Sequence, residues 1–197
     1  MITKDQALAL IGEHVENKNI VKHMLALEAL MGGAYETLKD KGRSEAELGG
    51  NKEEWMRAGL LHDGDYCEEV PMEKQGIVIT EWAKEAGYEI PENVAYAMAA
   101  HNWANTGVEP QSLMDWAIFC GDSLTGLITA CALVLPERKL SEVTVERVTK
   151  KFGQPSFASG TRREDIAQCE EKLEMPLSEF IAVSLSAMQK IATELGL

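Results

Sequence analysis

The chain has 197 residues, 45% of them hydrophobic, and a formal net charge of −13. Length and apolar content support one sizeable core and mark no second domain. So acidic a surface argues against a general binder of polymeric nucleic acid or of an anionic membrane, since either needs cations against phosphates; a small anionic substrate remains compatible if a metal or local cations offset the field.

The first twenty residues carry Lys4, Asp5, Glu13, Glu16 and Lys18, which leaves no apolar leader. Cysteines 67, 120, 131 and 169 show neither a CxxC pair nor framework spacing, and this suits a reducing, cytoplasmic setting. From Asn19 to Leu38, Ile20, Met24, Leu27, Met31, Ala34 and Leu38 recur at gaps of four and three, which predicts an amphipathic helix. His23 falls at the edge of that stripe, beside Leu27, Leu30 and Ala34, and is expected to face inward.

Residues 39–51 read as a mobile link, and Glu53–Leu61 as a short helix that ends at His62-Asp63. A polar loop with Asp65, Glu68, Glu69 and Pro71 follows, then a helix to about Ala86, stopped by Gly87. Pro91 opens the next helix at a position proline tolerates. Val94, Ala97, Met98 and His101 keep the helical spacing, so His101 closes that helix on its buried stripe.

Ser112–Leu135 is the most apolar stretch, with Asp115 and Asp122 as its only charges. It predicts a central helix that is apolar on two faces, and its two aspartates argue against a membrane span. Asp115 lies near the helix start, where a carboxylate is favoured, whereas Asp122 in mid-helix calls for a cation or a metal. Further helices are expected over Leu140–Phe152, capped by Ser141, and from a Thr161/Glu164 capping box to about Leu173. Pro176 opens the last one. With no strand alternation and no repeat, the expectation is an all-α, single-domain bundle of about eight helices. Its metal-site core would span 17–136, with the helices of 141–197 packed on it.

Three of the histidines, His23, His62 and His101, fall on inward faces of different helices with no local partner, whereas His14 reads as surface. One such histidine is most simply a hydrogen-bonded core residue. Three of them with Asp63 and Asp122 make a mixed nitrogen and oxygen donor set for a divalent ion: Mn, Fe, Co, Ni, Zn or Mg. Asp65 is a candidate general base or ligand-orienting group, and equally a loop carboxylate that caps backbone amides. Lys150, Lys151, Arg162 and Arg163 flank a glycine-containing loop and are candidates to hold substrate phosphate, although cations at helix ends are more commonly only solvated. Gly121-Asp122-Ser123-Leu124 spells the nucleophile motif of GDSL esterases, but it lies within a predicted helix and no histidine follows position 101, so Ser123 reads as structural.

The order His23, His62-Asp63, Asp122 resembles the H…HD…D signature of the HD-domain superfamily of metal-dependent phosphohydrolases. The likeness reaches a little-characterised branch of predicted HD hydrolases through residues 60–66, Ala99-Ala100-His101, residues 120–126 and the segment Lys150-Lys151…Phe157-Ala158…Arg163. It implies an HD-type helical bundle that hydrolyses a small phosphate ester or nucleotide. A divalent ion would be held by His23, His62, Asp63 and Asp122, with His101 as a further ligand or a substrate contact. Relatives with two ions carry another histidine on the loop after the HD pair; residues 71–76 have none, and this favours a single ion. A non-catalytic HD protein that binds a metal or nucleotide is the alternative, and an iron-dependent HD oxygenase a more distant one. A homo-oligomer is compatible with each.

Overall fold

Side-chain caps set six of the thirteen α-helix starts. In the computed structural model, which describes residues 1–197, α1 (Lys4–His14) begins at a box in which Thr3 accepts from Gln6 N–H while the Gln6 side chain accepts from Thr3 N–H. Asn17 caps α2 (Lys18–Asp40), and two further boxes, Ser44/Glu47 and Asn51/Glu54, open α3 (Glu45–Leu48) and α4 (Lys52–Leu61). A 3₁₀ turn at Met72–Lys74 precedes α5 (Val78–Glu85), and α6 (Glu92–His101) starts after Pro91. The short α7 (Trp103–Thr106) leads to α8 (Leu113–Leu133), which a Ser112/Asp115 box opens. The C-terminal part comprises α9 (Val145–Phe152), α10 (Arg163–Ala167), α11 (Cys169–Lys172), α12 (Leu177–Lys190) and α13 (Ala192–Leu195).

The chain is an all-α, single-domain bundle, more finely divided than its apolar periodicity suggests. α1 was not expected, and its Thr3/Gln6 box is the signal for it. His14 is half-buried against Trp82, their rings stacked with centroids 3.7 Å apart, so it is not a free surface histidine. The expected link 39–51 contains α3. The expected helix from Leu140 splits: Leu140–Glu142 is a 3₁₀ turn, and Thr144, not Ser141, caps α9 because its extended backbone aims the hydroxyl at Arg147 N–H. The Thr161/Glu164 box does not form. Thr161 N–H is taken by Ala158 O, and α10 starts two residues later and breaks at Gln168.

α2 is the hub, packing on α4, α8 and α12, while α8 packs in turn on α6, α9 and α10. One apolar core runs from Ile2 to Leu195, and α12 closes over it with Phe180, Ile181 and Met188. α8 is long and apolar enough to cross a membrane by composition, yet most of it is covered by neighbouring helices, as expected of a core helix. α4 reaches α2 closely because Gly59 has no side chain: a Cβ there would lie 2.9 Å from Leu27 O and 3.0 Å from Glu28 Cα. That approach brings the end of α4, with His62, beside His23 on α2.

Candidate metal centre

His62 follows the last turn of α4, where its Nδ1 lies 2.9 Å from Gly59 O, and the ring is fully buried. A carbonyl can only accept, so Nδ1 carries the proton and Nε2 is the free donor atom. His101, at the end of α6, is held in the same way, its Nδ1–H on Met98 O. On α2, His23 Nδ1 lies 3.0 Å from Thr125 Oγ1, whose own proton goes to Asp122 O; the hydroxyl therefore accepts from His23 and again leaves Nε2 free. Each ring is thus fixed through one nitrogen with Nε2 left free; those of His23 and His62 converge on one point, while that of His101 lies on the other oxygen of Asp63.

Around that point His23 Nε2 and His62 Nε2 are 3.1 Å apart. Asp63 Oδ2 is 3.3 Å from His62 Nε2 and 3.6 Å from His23 Nε2. Asp122 Oδ1 is 3.0 Å from His23 Nε2 and 3.9 Å from His62 Nε2. His23, His62 and Asp63 together form a group able to hold a metal ion. Two imidazole lone pairs facing each other at hydrogen-bond distance repel unless a proton or a cation lies between them. The spacing also fits an ion, because adjacent ligands at right angles on bonds of about 2.1 Å lie about 3 Å apart.

Without an ion, protons do this work. Burial pushes His23 and His101 down, but hydrogen bonds and charge from Asp122 and Asp63 outweigh it and raise both above the usual imidazole value. Burial likewise pushes the two carboxyls up, and the histidines more than offset it. Asp63 is held well below the carboxylate range by His62 and His101, and Asp122 is held at about 2, chiefly by His23. The site is therefore a charge-compensated cluster in which a divalent cation can replace protons.

Not all the sequence candidates meet here. Asp63 also lies 3.5 Å from His101 Nε2, which joins His101 to the cluster. Asp122 is only half-buried, and its other oxygen lies 3.3 Å from Arg162 NH2. Asp122 thus meets a cation that its mid-helix position called for, a guanidinium 40 residues away in sequence, in addition to the histidines. Asp65 is fully buried, and its carboxylate accepts from Gly76 and Ile79 N–H at 2.8–3.0 Å. Burial raises its pKa, but both oxygens are occupied in tying the loop to α5, so it is a cap rather than a base. Gly76 suits this contact: its φ is +84°, and a Cβ would strike Met98 O.

The expected phosphate cations are also redistributed. Arg163 donates to the carbonyls of Phe152, Gln154, Phe157 and Thr161 and so braces the 153–161 loop from behind. Lys151 bonds Gln154 and lies over the Phe157 ring, and Lys150 is exposed. None of these three lines the cavity; Arg162 does. This cavity, of about 490 Å³, opens beside His23, Asp63, His101 and Asp122, and its remaining wall is largely polar, with Gln75, Asn102, Asn105, Ser123 and residues 158–161. Thr125, which orients His23, went unread in sequence, although its position one helical turn after Asp122 on the same face is a usable signal. The cavity amides had none.

No family model, curated protein or solved structure matches this chain.

Proposed function

We propose that this chain is a metal-dependent phosphohydrolase of HD type that acts on a small phosphate ester or a nucleotide. The observation that carries the reading is the meeting of three oriented imidazole Nε2 atoms with Asp63 and Asp122 at the wall of a polar cavity. His23, His62, Asp63 and Asp122 would hold a divalent ion, Mn, Fe, Co, Ni, Zn or Mg. When bound, such an ion supplies an acidified water and neutralises charge on a phosphoryl group. The Gly59 and Thr125 contacts keep His62 and His23 in the tautomer that binds a cation. His101 faces the cavity with Nε2 near Asp63, where it can contact a substrate oxygen or move a proton. Asp65 is left with the task of holding the loop that carries Met72 and Gln75 to the cavity mouth.

Turnover of a panel of phosphomonoesters and nucleotides by protein loaded with each of these metals tests the reading. Protein of demonstrated metal content that turns over none of them sinks it. A second reading, a non-catalytic binder of metal or nucleotide, draws support from two observations: Asp65 is fully occupied, and no histidine stands on the loop after the HD pair. Ligand-dependent melting shifts without turnover would favour that alternative.

A further inference from the structure

The geometry points to residues 158–162 as the arm of this cavity that binds an oxyanion, with the Arg162 guanidinium and the amides of Ala158 and Arg162 taking oxygens of a phosphate group. Arg162 is the only lysine or arginine on the cavity wall. Its Nε is held 2.6 Å from Asp165 Oδ2 and its NH2 3.3 Å from Asp122 Oδ2, so the head is aimed at the His/Asp cluster while 39% of the side chain stays accessible.

The backbone beside it is turned by Arg163. That guanidinium gathers the carbonyls of Phe157 and Thr161, and in a trans peptide the following N–H points the opposite way, so those of Ala158 and Arg162 face away from Arg163. Ala158 has φ +46°, which helps turn the chain here, and the amides of Ala158, Ser159, Gly160 and Arg162 find no backbone acceptor. Unpaired amides and one cation, on a wall that also carries the Ser159 and Thr161 hydroxyls, suit a tetrahedral oxyanion. Asp122 occupies the guanidinium in their place, so a phosphate bound here would compete with Asp122 for Arg162. The identity of the ligand as a phosphate rests on the phosphohydrolase reading; the binding role of Arg162 is tested separately from it.

The test is calorimetric titration of inorganic phosphate into the full chain, with and without saturating Mn²⁺, for the parent, Arg162→Gln, Arg162→Lys and Lys150→Gln. Manganese content and circular dichroism are measured on each. The expected result is phosphate binding weakened roughly ten- to a hundredfold in Arg162→Gln, the worth of a charged hydrogen bond, with manganese content unchanged. Lys150→Gln, which removes an exposed cation away from the cavity, should bind like the parent. If Arg162→Gln fails to fold, Arg162→Lys carries the test: it keeps the charge, loses the planar fork, and should bind phosphate several-fold more weakly. Parent-like binding in a folded Arg162 variant, an equal loss in Lys150→Gln, or loss of manganese together with phosphate overturns the assignment. So does a parent that binds no phosphate in either metal state. Phosphate binding that depends on Arg162 without turnover of any ester would leave this inference standing and remove the hydrolase reading.

Discussion

Replacing Gly59 by alanine tests the claim that the metal centre exists because two helices touch. The new methyl would lie 2.9 Å from Leu27 O, 2.9 Å from Met31 Cγ and 3.0 Å from Glu28 Cα, and two of these three are backbone atoms of α2 that cannot rotate aside. Restoring ordinary contact requires α4 to retreat by about 0.5 Å, an overpacking strain worth about 1–3 kcal/mol. Alanine recovers up to about 1 kcal/mol of helix propensity in return. The net expectation is a destabilisation of about 1–2 kcal/mol, or roughly 2–8 °C in melting temperature for a chain of this size. Because ligand positions in metal sites tolerate shifts of only about 0.2 Å, the same retreat should weaken manganese binding. Gly12→Ala is the control: it is helical and exposed, with nothing within 4 Å of the added methyl, and should stabilise by about 0.5–1 kcal/mol. Thermal melts of the metal-free proteins followed by manganese titrations decide the matter. A Gly59→Ala protein that melts at or above the parent would refute the close-approach argument.

Asp122→Asn should lower metal affinity by roughly a hundredfold or more while the metal-free fold persists, as read by elemental analysis after dialysis; full metal retention contradicts the ligand assignment. Asp122 titrates at about 2, below the unfolded value of 3.8, so its contribution to stability is complete above pH 3.8 and lost as pH falls towards 2. Metal affinity, measured from pH 8 to pH 5, should fall with acidification from above pH 6.5, because His23 is raised and a proton competes for its Nε2; a flat profile would exclude His23 as a ligand. Asp65→Ala should cost about 0.5–2 kcal/mol in a denaturant melt through loss of its caps on Gly76 and Ile79. If the substitution instead leaves stability untouched and abolishes turnover, Asp65 acts in catalysis after all. Cys120, Cys131 and Cys169 are fully buried, and burial raises all three thiols, Cys169 to about 12. Burial also raises Cys67, but it alone is partly exposed, so a thiol reagent should modify Cys67 first in native protein and all four cysteines in denaturant; native modification of the others at a similar rate would mean that the core opens readily.

Helical class and the inward-facing histidines were legible because both depend on spacing along one helix. The stripe that buries Leu27 and Met31 also carries His23 inward, and the stripe of Val94 and Ala97 does the same for His101. Short interruptions were less legible. Thr144 displaced Ser141 as a cap, and the Thr161/Glu164 pair lost to a loop that Arg163 holds from within, because local capping preferences of about 1 kcal/mol yield to side chains arriving from elsewhere.

By itself the sequence determined which residue types were available for chemistry and on which helical faces they stood. Their assembly into a centre was a matter of tertiary packing. Gly59 lets α4 lie against α2, which sets two imidazole nitrogens 3.1 Å apart across 39 residues of chain. Arg162 reaches Asp122 across 40 residues, while its neighbour Arg163 turns the other way. Asp65 and Asp63, two positions apart, end in opposite roles because one faces backbone amides and the other faces imidazoles. Those distinctions depend on the directions of side chains from separate elements, which no periodicity along a single segment encodes.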